Sequence, residues 1–173
     1  MEQLRSRIYE NFSEQDMRIL LNICTSTKIA DNNMKVKLLI KYLEPKGFDA
    51  IGSGTNRFTM FKDGYAFKFA LDHYGYDDNE TEFNMSKRLF PFGATKTYET
   101  NGLVNVSEFV NVMNKSIFVK NKKRIRSILR SLSRWFLFAD LGTVARNYKN
   151  WGFDNYGEIR FLDYGLIHRS VYE

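Results

Sequence analysis

Residues 58–70 read Phe-Thr-Met-Phe-Lys-Asp-Gly-Tyr-Ala-Phe-Lys-Phe-Ala, and this stretch decides the fold. Two apolar, alternating runs flank Asp63-Gly64, a pair that readily takes the positive φ angles of a two-residue hairpin turn. The reading is an antiparallel strand pair, 58–62 and 65–71. Lys68 then lies mid-strand among apolar neighbours, on the same face as the small residues Ala66 and Ala70, where room is left for a ligand. A lysine on an exposed sheet edge is the plainer alternative.

Just upstream, Gly52-Ser53-Gly54 precedes Thr55-Asn56 between a first strand and this hairpin. Glycines there let backbone N–H groups approach a phosphate with no side chain in the way, although two glycines also make an ordinary turn. Downstream, a polar turn over 73–79 leads into a helix with Phe83, Met85, Leu89 and Phe90. Glu80 and Glu82 on that helix are the acids within reach of Lys68, and such a carboxylate would hold an ammonium toward phosphate oxygens. Strands over 95–100 and 103–109 follow, joined by Asn101-Gly102. A long helix is predicted over 121–138, striped by Ile125, Ile128, Leu129, Leu132, Trp135 and Phe136. A last hairpin joins 151–153 to 158–162 through Asn155-Tyr-Gly157.

The N-terminal 43 residues read as helical. Ser13 caps a segment with Met17, Leu20, Leu21 and Cys24 at helical spacing. A second helix, about 33–43, ends before Pro45 and Gly47. The expected organisation is a helical extension (1–46), a strand-rich lobe (47–110), and a smaller part with a long basic helix and a terminal hairpin (111–173).

The 173 residues are 43% apolar and 16% aromatic, enough to bury a core. No apolar stretch reaches the ~18 residues of a membrane span, and the N-terminus lacks a signal-peptide core. A lone cysteine, Cys24, forms no internal disulfide. The expectation is a soluble cytoplasmic protein. The net charge is +6, and Lys120, Lys122, Lys123, Arg124, Arg126, Arg130 and Arg134 share one acid-free stretch. That stretch is a solvated helix face, or a surface for an acidic protein or nucleic acid, with Tyr148 and Trp151 available to stack on bases. His73 and His168 are isolated and have no metal-site spacing.

From about Asp49 to Gly165 the order of these features resembles the protein-kinase-like superfamily. Gly52-Ser-Gly54 is similar to the glycine loop, and Tyr65-Ala-Phe-Lys68 to the Val-Ala-Ile-Lys strand. Glu82, or else Glu80, resembles the helix glutamate that pairs with the lysine. Ser107-Glu108-Phe109-Val110 resembles the hinge that grips adenine. Asn150-Trp-Gly152 is similar to the metal-binding asparagine and its following strand, with Asn147 as the alternative amide. Asp163-Tyr-Gly165 resembles the Asp-Phe-Gly magnesium motif. The resemblance implies an α+β, truncated kinase-like fold: a five-stranded antiparallel upper lobe with a helix, a minimal lower lobe and an N-terminal helical extension. It implies ATP and Mg2+ as ligands, with Lys68, Gly52, Ser53, Gly54, Glu82, Glu108 and Val110 around the nucleotide and Asn150 and Asp163 on the metal.

Departures from the pattern shape the functional expectation. Arg57 replaces the third loop glycine. The His-Arg-Asp sequence is missing, and Ala145 stands where the catalytic aspartate belongs, so Asp140 is the remaining candidate base. Only eight residues follow Gly165, so no activation segment or peptide-substrate platform is expected. A pseudokinase or binding module, a minimal phosphotransferase acting on a small or unconventional acceptor, and a nucleic-acid-associated protein are the three readings. Small kinase-like proteins that this chain resembles occur in tailed-phage genomes, and that resemblance implies a role in host takeover or in the particle. The apolar stripe of the basic helix is expected to be covered by the N-terminal helices or by a second copy of the chain.

Overall fold

The computed structural model describes residues 6–29, 31–133 and 146–162. Asp140, Asp163, Arg134, Trp135 and Phe136 therefore lie outside the described residues. The fold is α+β, built on a five-stranded antiparallel sheet in the order β1-β2-β3-β5-β4. Its strands are β1 (Asp49–Ser53), β2 (Arg57–Lys62), β3 (Tyr65–Ala70), β4 (Thr97–Thr100) and β5 (Val104–Glu108). The Asp63-Gly64 turn closes the β2–β3 hairpin with φ of 49° and 84°, and Lys62 pairs with Tyr65 directly across it.

Period-two alternation divides this sheet into two unlike faces. One carries Phe58, Met60, Phe67, Phe69, Val104 and Val106, all buried. Three helices close over it: α1 (Arg7–Asn11), α2 (Glu14–Thr25) and α3 (Asn32–Leu43). Ile8, Phe12, Leu20, Cys24, Leu39 and Leu43 from these helices join the same core, with Phe48. Ser13 and Asp16 form a reciprocal capping box that starts α2. Burial pushes the Cys24 thiol up to about 12, which leaves it an inert core side chain.

The opposite face is crossed by α4 (His73–Leu89). This helix begins earlier than its polar sequence suggests. Asp72 caps it by accepting from the Gly75 N–H at 2.8 Å, so the expected turn over 73–79 is helical. A Cβ on Gly75 would lie 2.2 Å from the Asn56 carbonyl; only glycine lets the helix start so close to the β1–β2 turn.

Beyond β5 the chain passes through Phe109 and Val110, outside either sheet, into a second sheet of order β6-β7-β8. It comprises β6 (Asn111–Val112), β7 (Trp151–Phe153) and β8 (Ile159–Phe161). The terminal hairpin is thus three-stranded, because two residues after the Phe109-Val110 connector pair with it. The basic segment forms two helices, α5 (Lys115–Lys120) and α6 (Lys122–Ser133), of which α5 was not expected.

A second core joins Leu89, Ala94, Met113, Ile125, Leu132, Trp151, Ile159 and Phe161, with Ile128 and Leu129 packed against it. This corrects the expected cover for the basic helix. Within the described residues its apolar stripe lies on the end of α4 and the second sheet, while the N-terminal helices are occupied on the far face of the first sheet. No helix among the described residues is long and apolar enough to cross a membrane.

Candidate functional site

The polar face of the large sheet brings together two of the residues singled out by chemistry, Lys68 and Glu82. Lys68 pairs across the ladder with Thr59 on β2 and Asn105 on β5. The lysine is only 8% exposed, and Glu82 on α4 is fully buried. Lys68 Nζ and Glu82 Oε2 are 2.6 Å apart. A charged pair here needs both partners, since either alone would stand desolvated with no counter-charge. Glu82, rather than Glu80, faces the lysine. Asn79, one turn earlier on α4, donates to the Gly102 carbonyl at 2.8 Å and to the Lys68 carbonyl at 3.3 Å. Those bonds fix the helix over the strand, so the pair is held from both sides.

Arg57 is the residue that sequence reasoning recorded only as a missing glycine. Its Nη2 lies 2.8 Å from Glu82 Oε1, and its Nε lies 3.9 Å from Asp78 Oδ2. One carboxylate therefore serves two cations. Burial alone would push the Glu82 carboxyl up, but the guanidinium of Arg57 and the ammonium of Lys68 outweigh it and hold the group below its ordinary range. Arg57, Lys68, Glu82 and Asp78 sum to zero charge, which explains how four ionisable groups share a nearly dry place. The available signal for Arg57 was a cation at the start of β2, one hairpin away from Lys68, with an acid-bearing helix to follow.

The glycine turn differs from expectation in detail. Gly52 and Ser53 belong to β1, opposite Thr59 and Phe58, so the turn proper is 54–56. Gly54 donates its N–H to the Arg57 carbonyl at 2.8 Å. That donor is committed within the turn rather than directed outward. The turn is fixed further by Leu71, whose N–H donates to the Asn56 carbonyl at 2.8 Å, and by Asn32, whose amide donates to the Thr55 carbonyl at 2.9 Å.

From the other sheet, the chain arrives at the same lysine. Lys68 Nζ lies 3.5 Å from the carbonyl oxygen of Leu162, the residue immediately before Asp163. Leu162 in turn donates its N–H to the Asn150 carbonyl at 2.9 Å, so Asn150 and the end of β8 are adjacent. Asn147 instead caps the short 3-10 turn Tyr148–Asn150, its Oδ1 accepting from Lys149 N–H at 3.1 Å. The Asn147 side chain is thus taken up as the cap of that turn. Glu108 accepts from the Lys96 N–H at 2.8 Å and lies 3.6 Å from Arg160 Nε. Its side chain is spent at the junction of the sheets, where burial pushes its carboxyl up. Val110 is buried, its Cγ1 against the backbone of Gly152. A Cβ on Gly152 would meet the Asn111 carbonyl at 2.5 Å, so glycine permits this contact.

Among the described residues no group of three or more His, Cys, Asp or Glu could hold a metal ion. The stacking role expected of Trp151 is overturned: the indole is fully buried in the second core, with its ring 4.9 Å from that of Phe161. Compared with family models and with curated protein sequences, the chain matches none.

Proposed function

We propose that this chain is a kinase-like nucleotide-binding module, taking a magnesium-bound adenine nucleotide where the two sheets meet. The observation that carries the reading is the position of Lys68. Its ammonium is shared between Glu82 on α4 and the Leu162 carbonyl at the end of β8, which is the arrangement that presents a lysine to phosphate oxygens beside a metal site. Asn150 would give Mg2+ an amide oxygen and Asp163 a carboxylate, a donor set of the hard oxygens that Mg2+ prefers. Bound Mg2+ would neutralise polyphosphate charge. Phe109 and Val110, the connector between the sheets, would border the adenine.

Two features favour binding over phosphoryl transfer. The Gly54 N–H is closed onto Arg57, which removes a phosphate donor from the turn. Arg57 also draws on the carboxylate that would otherwise serve Lys68 alone. The intact Lys68–Glu82 pair keeps a phosphotransferase as the second reading, with Asp140 as its base and a small or unconventional acceptor.

Calorimetric titration with ATP, with and without magnesium, tests the site. We expect binding that requires magnesium and that weakens at least tenfold in Lys68→Ala. Absence of binding at millimolar ATP in the folded wild-type protein refutes the reading. Transfer of labelled γ-phosphate from ATP to an added acceptor by wild type, abolished in Asp140→Asn, would select the phosphotransferase.

A further inference from the structure

A second lysine is buried in this molecule, away from Lys68. Lys35 on α3 is 6% exposed. Its Nζ donates to the Cys24 carbonyl at 2.8 Å and to the Leu71 carbonyl at 2.5 Å. Both partners are carbonyl oxygens, and among the described residues no carboxylate pairs with it. A buried ammonium without a counter-charge is costly, and methionine has the length to fill the same space at less cost. Packing alone does not account for a lysine here. The Cys24 carbonyl belongs to the last turn of α2, where carbonyls lack helical partners and the helix dipole favours a cation. The Leu71 carbonyl has a different setting.

Leu71 stands between β3 and α4, followed by Asp72, the cap of α4. At this corner the strand that carries Lys68 turns into the helix that carries Glu82. Asn32 sits one turn before Lys35 on the same side of α3. Its amide nitrogen donates to the Thr55 carbonyl at 2.9 Å and to Asp72 Oδ2 at 3.4 Å. Asp72 Oδ1 meanwhile accepts from the Gly75 N–H at 2.8 Å. Two side chains at the start of α3 thus grip the turn 54–56, the corner 71–72 and the end of α2. Asn79 holds the middle of α4, and this corner holds its beginning. Glu82 lies about three turns past the cap, roughly 15 Å along the helix. A small tilt at the corner is magnified there, while a hydrogen bond tolerates only a few tenths of an ångström.

We infer that Lys35 and Asn32 are positioning residues of the Lys68–Glu82 pair, through which the N-terminal helices set the affinity of the site where the sheets meet. The effect on affinity rests on the nucleotide reading above; the effect on the pair does not. Carbon-13 NMR of the Glu82 carboxyl in the full chain reads the pair without a ligand, and calorimetry with magnesium and ATP reads the site. Lys35→Met should move the Glu82 titration midpoint upward, because Arg57 and Lys68 then hold the carboxylate less closely, and should weaken ATP binding at least threefold. Asn32→Ala should move both in the same direction by less. It alters no charge and lies outside the core, so it serves as the test should Lys35→Met fail to fold. Leu39→Ala, in the apolar core under the first sheet, is the control: the melting temperature falls while both readouts stay at wild-type values. An unmoved Glu82 midpoint in the Lys35 and Asn32 variants, or equal shifts in Leu39→Ala, would overturn the assignment. Absence of ATP binding by wild type would refute the nucleotide reading alone, and the NMR comparison would still decide the positioning role.

Discussion

Both faces of the five-stranded sheet bury side chains, and the chemistry of the two is opposite. Under α1–α3 lie Phe58, Met60, Phe67, Phe69, Val104 and Val106; under α4 lie Lys68, Asn105 and Ser107, met by Asn79, Glu82 and Ser86. The aromatic face is knit by ring contacts, Phe48 meeting Phe67 edge-on at 5.1 Å and stacking on Phe12 at 5.3 Å. Burial of apolar area stabilises without needing any particular partner. Burial of Lys68 and Glu82 gains only what geometry returns against desolvation, and apolar residues of similar volume would often serve stability as well or better. The first face therefore accounts for folding. The second is costly enough to need another reason, and the proposed ligand supplies it.

Removing the cover from the aromatic face should have the largest effect. Deleting residues 1–43 would expose six large side chains, each contributing about 1.5–3 kcal/mol when buried. Together these match or exceed the ~5–15 kcal/mol by which a domain is stable. We expect no cooperative thermal transition in the shortened chain and an aggregating product. A soluble 44–173 fragment that melts cooperatively would show that the sheet does not depend on this face.

How much of this contrast was legible in the sequence follows from which interactions are local. The β2–β3 hairpin was readable because the turn residues and both strands lie within one short window, and α2 because its cap and apolar spacing are contiguous. The Lys68–Glu82 pairing was also within reach, since one strand leads directly into one helix. The start of α4 was hidden, because the run after Asp72 is polar and its glycine, Gly75, is explained only by the Asn56 carbonyl of a distant turn. Strand β6 has two residues and exists through its pairing with β7. An amphipathic pattern says that a helix has something to cover but not what; of the two covers expected for the basic helix, α1–α3 pack instead on the first sheet. Arg57 was read as an absent glycine because a substitution names what is lost, not where the new side chain reaches.

A smaller but sharper effect belongs to the polar face. Glu82→Gln leaves Lys68 and Arg57 without their shared carboxylate, and breaking a buried pair in this way costs about 3–5 kcal/mol. The pH dependence carries a sign. Burial would raise the Glu82 carboxyl, but Arg57 and Lys68 hold it below its ordinary range, so its contribution is present above the unfolded value of about 4.3 and is lost as pH falls below it. Urea denaturation between pH 7 and pH 3 should show wild-type stability declining at the acid end and a shallower decline in the variant. Asp154 keeps some slope in both: burial opposes its ionisation, while the N–H groups of Glu158 and Tyr156 and the guanidinium of Arg160 hold it low. Parallel acid limbs would mean that Glu82 is not ionised in the fold.

The smallest expected effect is the most discriminating. Asn105 is fully buried beside the ion pair, and its Oδ1 has no hydrogen-bond partner among the described residues. Its amide nitrogen makes two long bonds, 3.3 Å to Glu82 Oε2 and 3.5 Å to the Asn79 carbonyl. An unsatisfied buried acceptor carries a desolvation cost of about 1–3 kcal/mol, while bonds of this length return little. Asn105→Leu removes the cost and the weak bonds together and keeps a similar volume, so unfolding stability should change by less than about 1 kcal/mol. The same substitution takes one donor away from Glu82 and places a branched side chain opposite Lys68, so magnesium-dependent ATP binding should fall severalfold. Equilibrium denaturation and calorimetry on one variant then separate the two faces. A loss of more than about 2 kcal/mol would mark Asn105 as part of what holds the sheet together. Unchanged stability with unchanged ATP affinity would leave the polar face without the ligand that explains it.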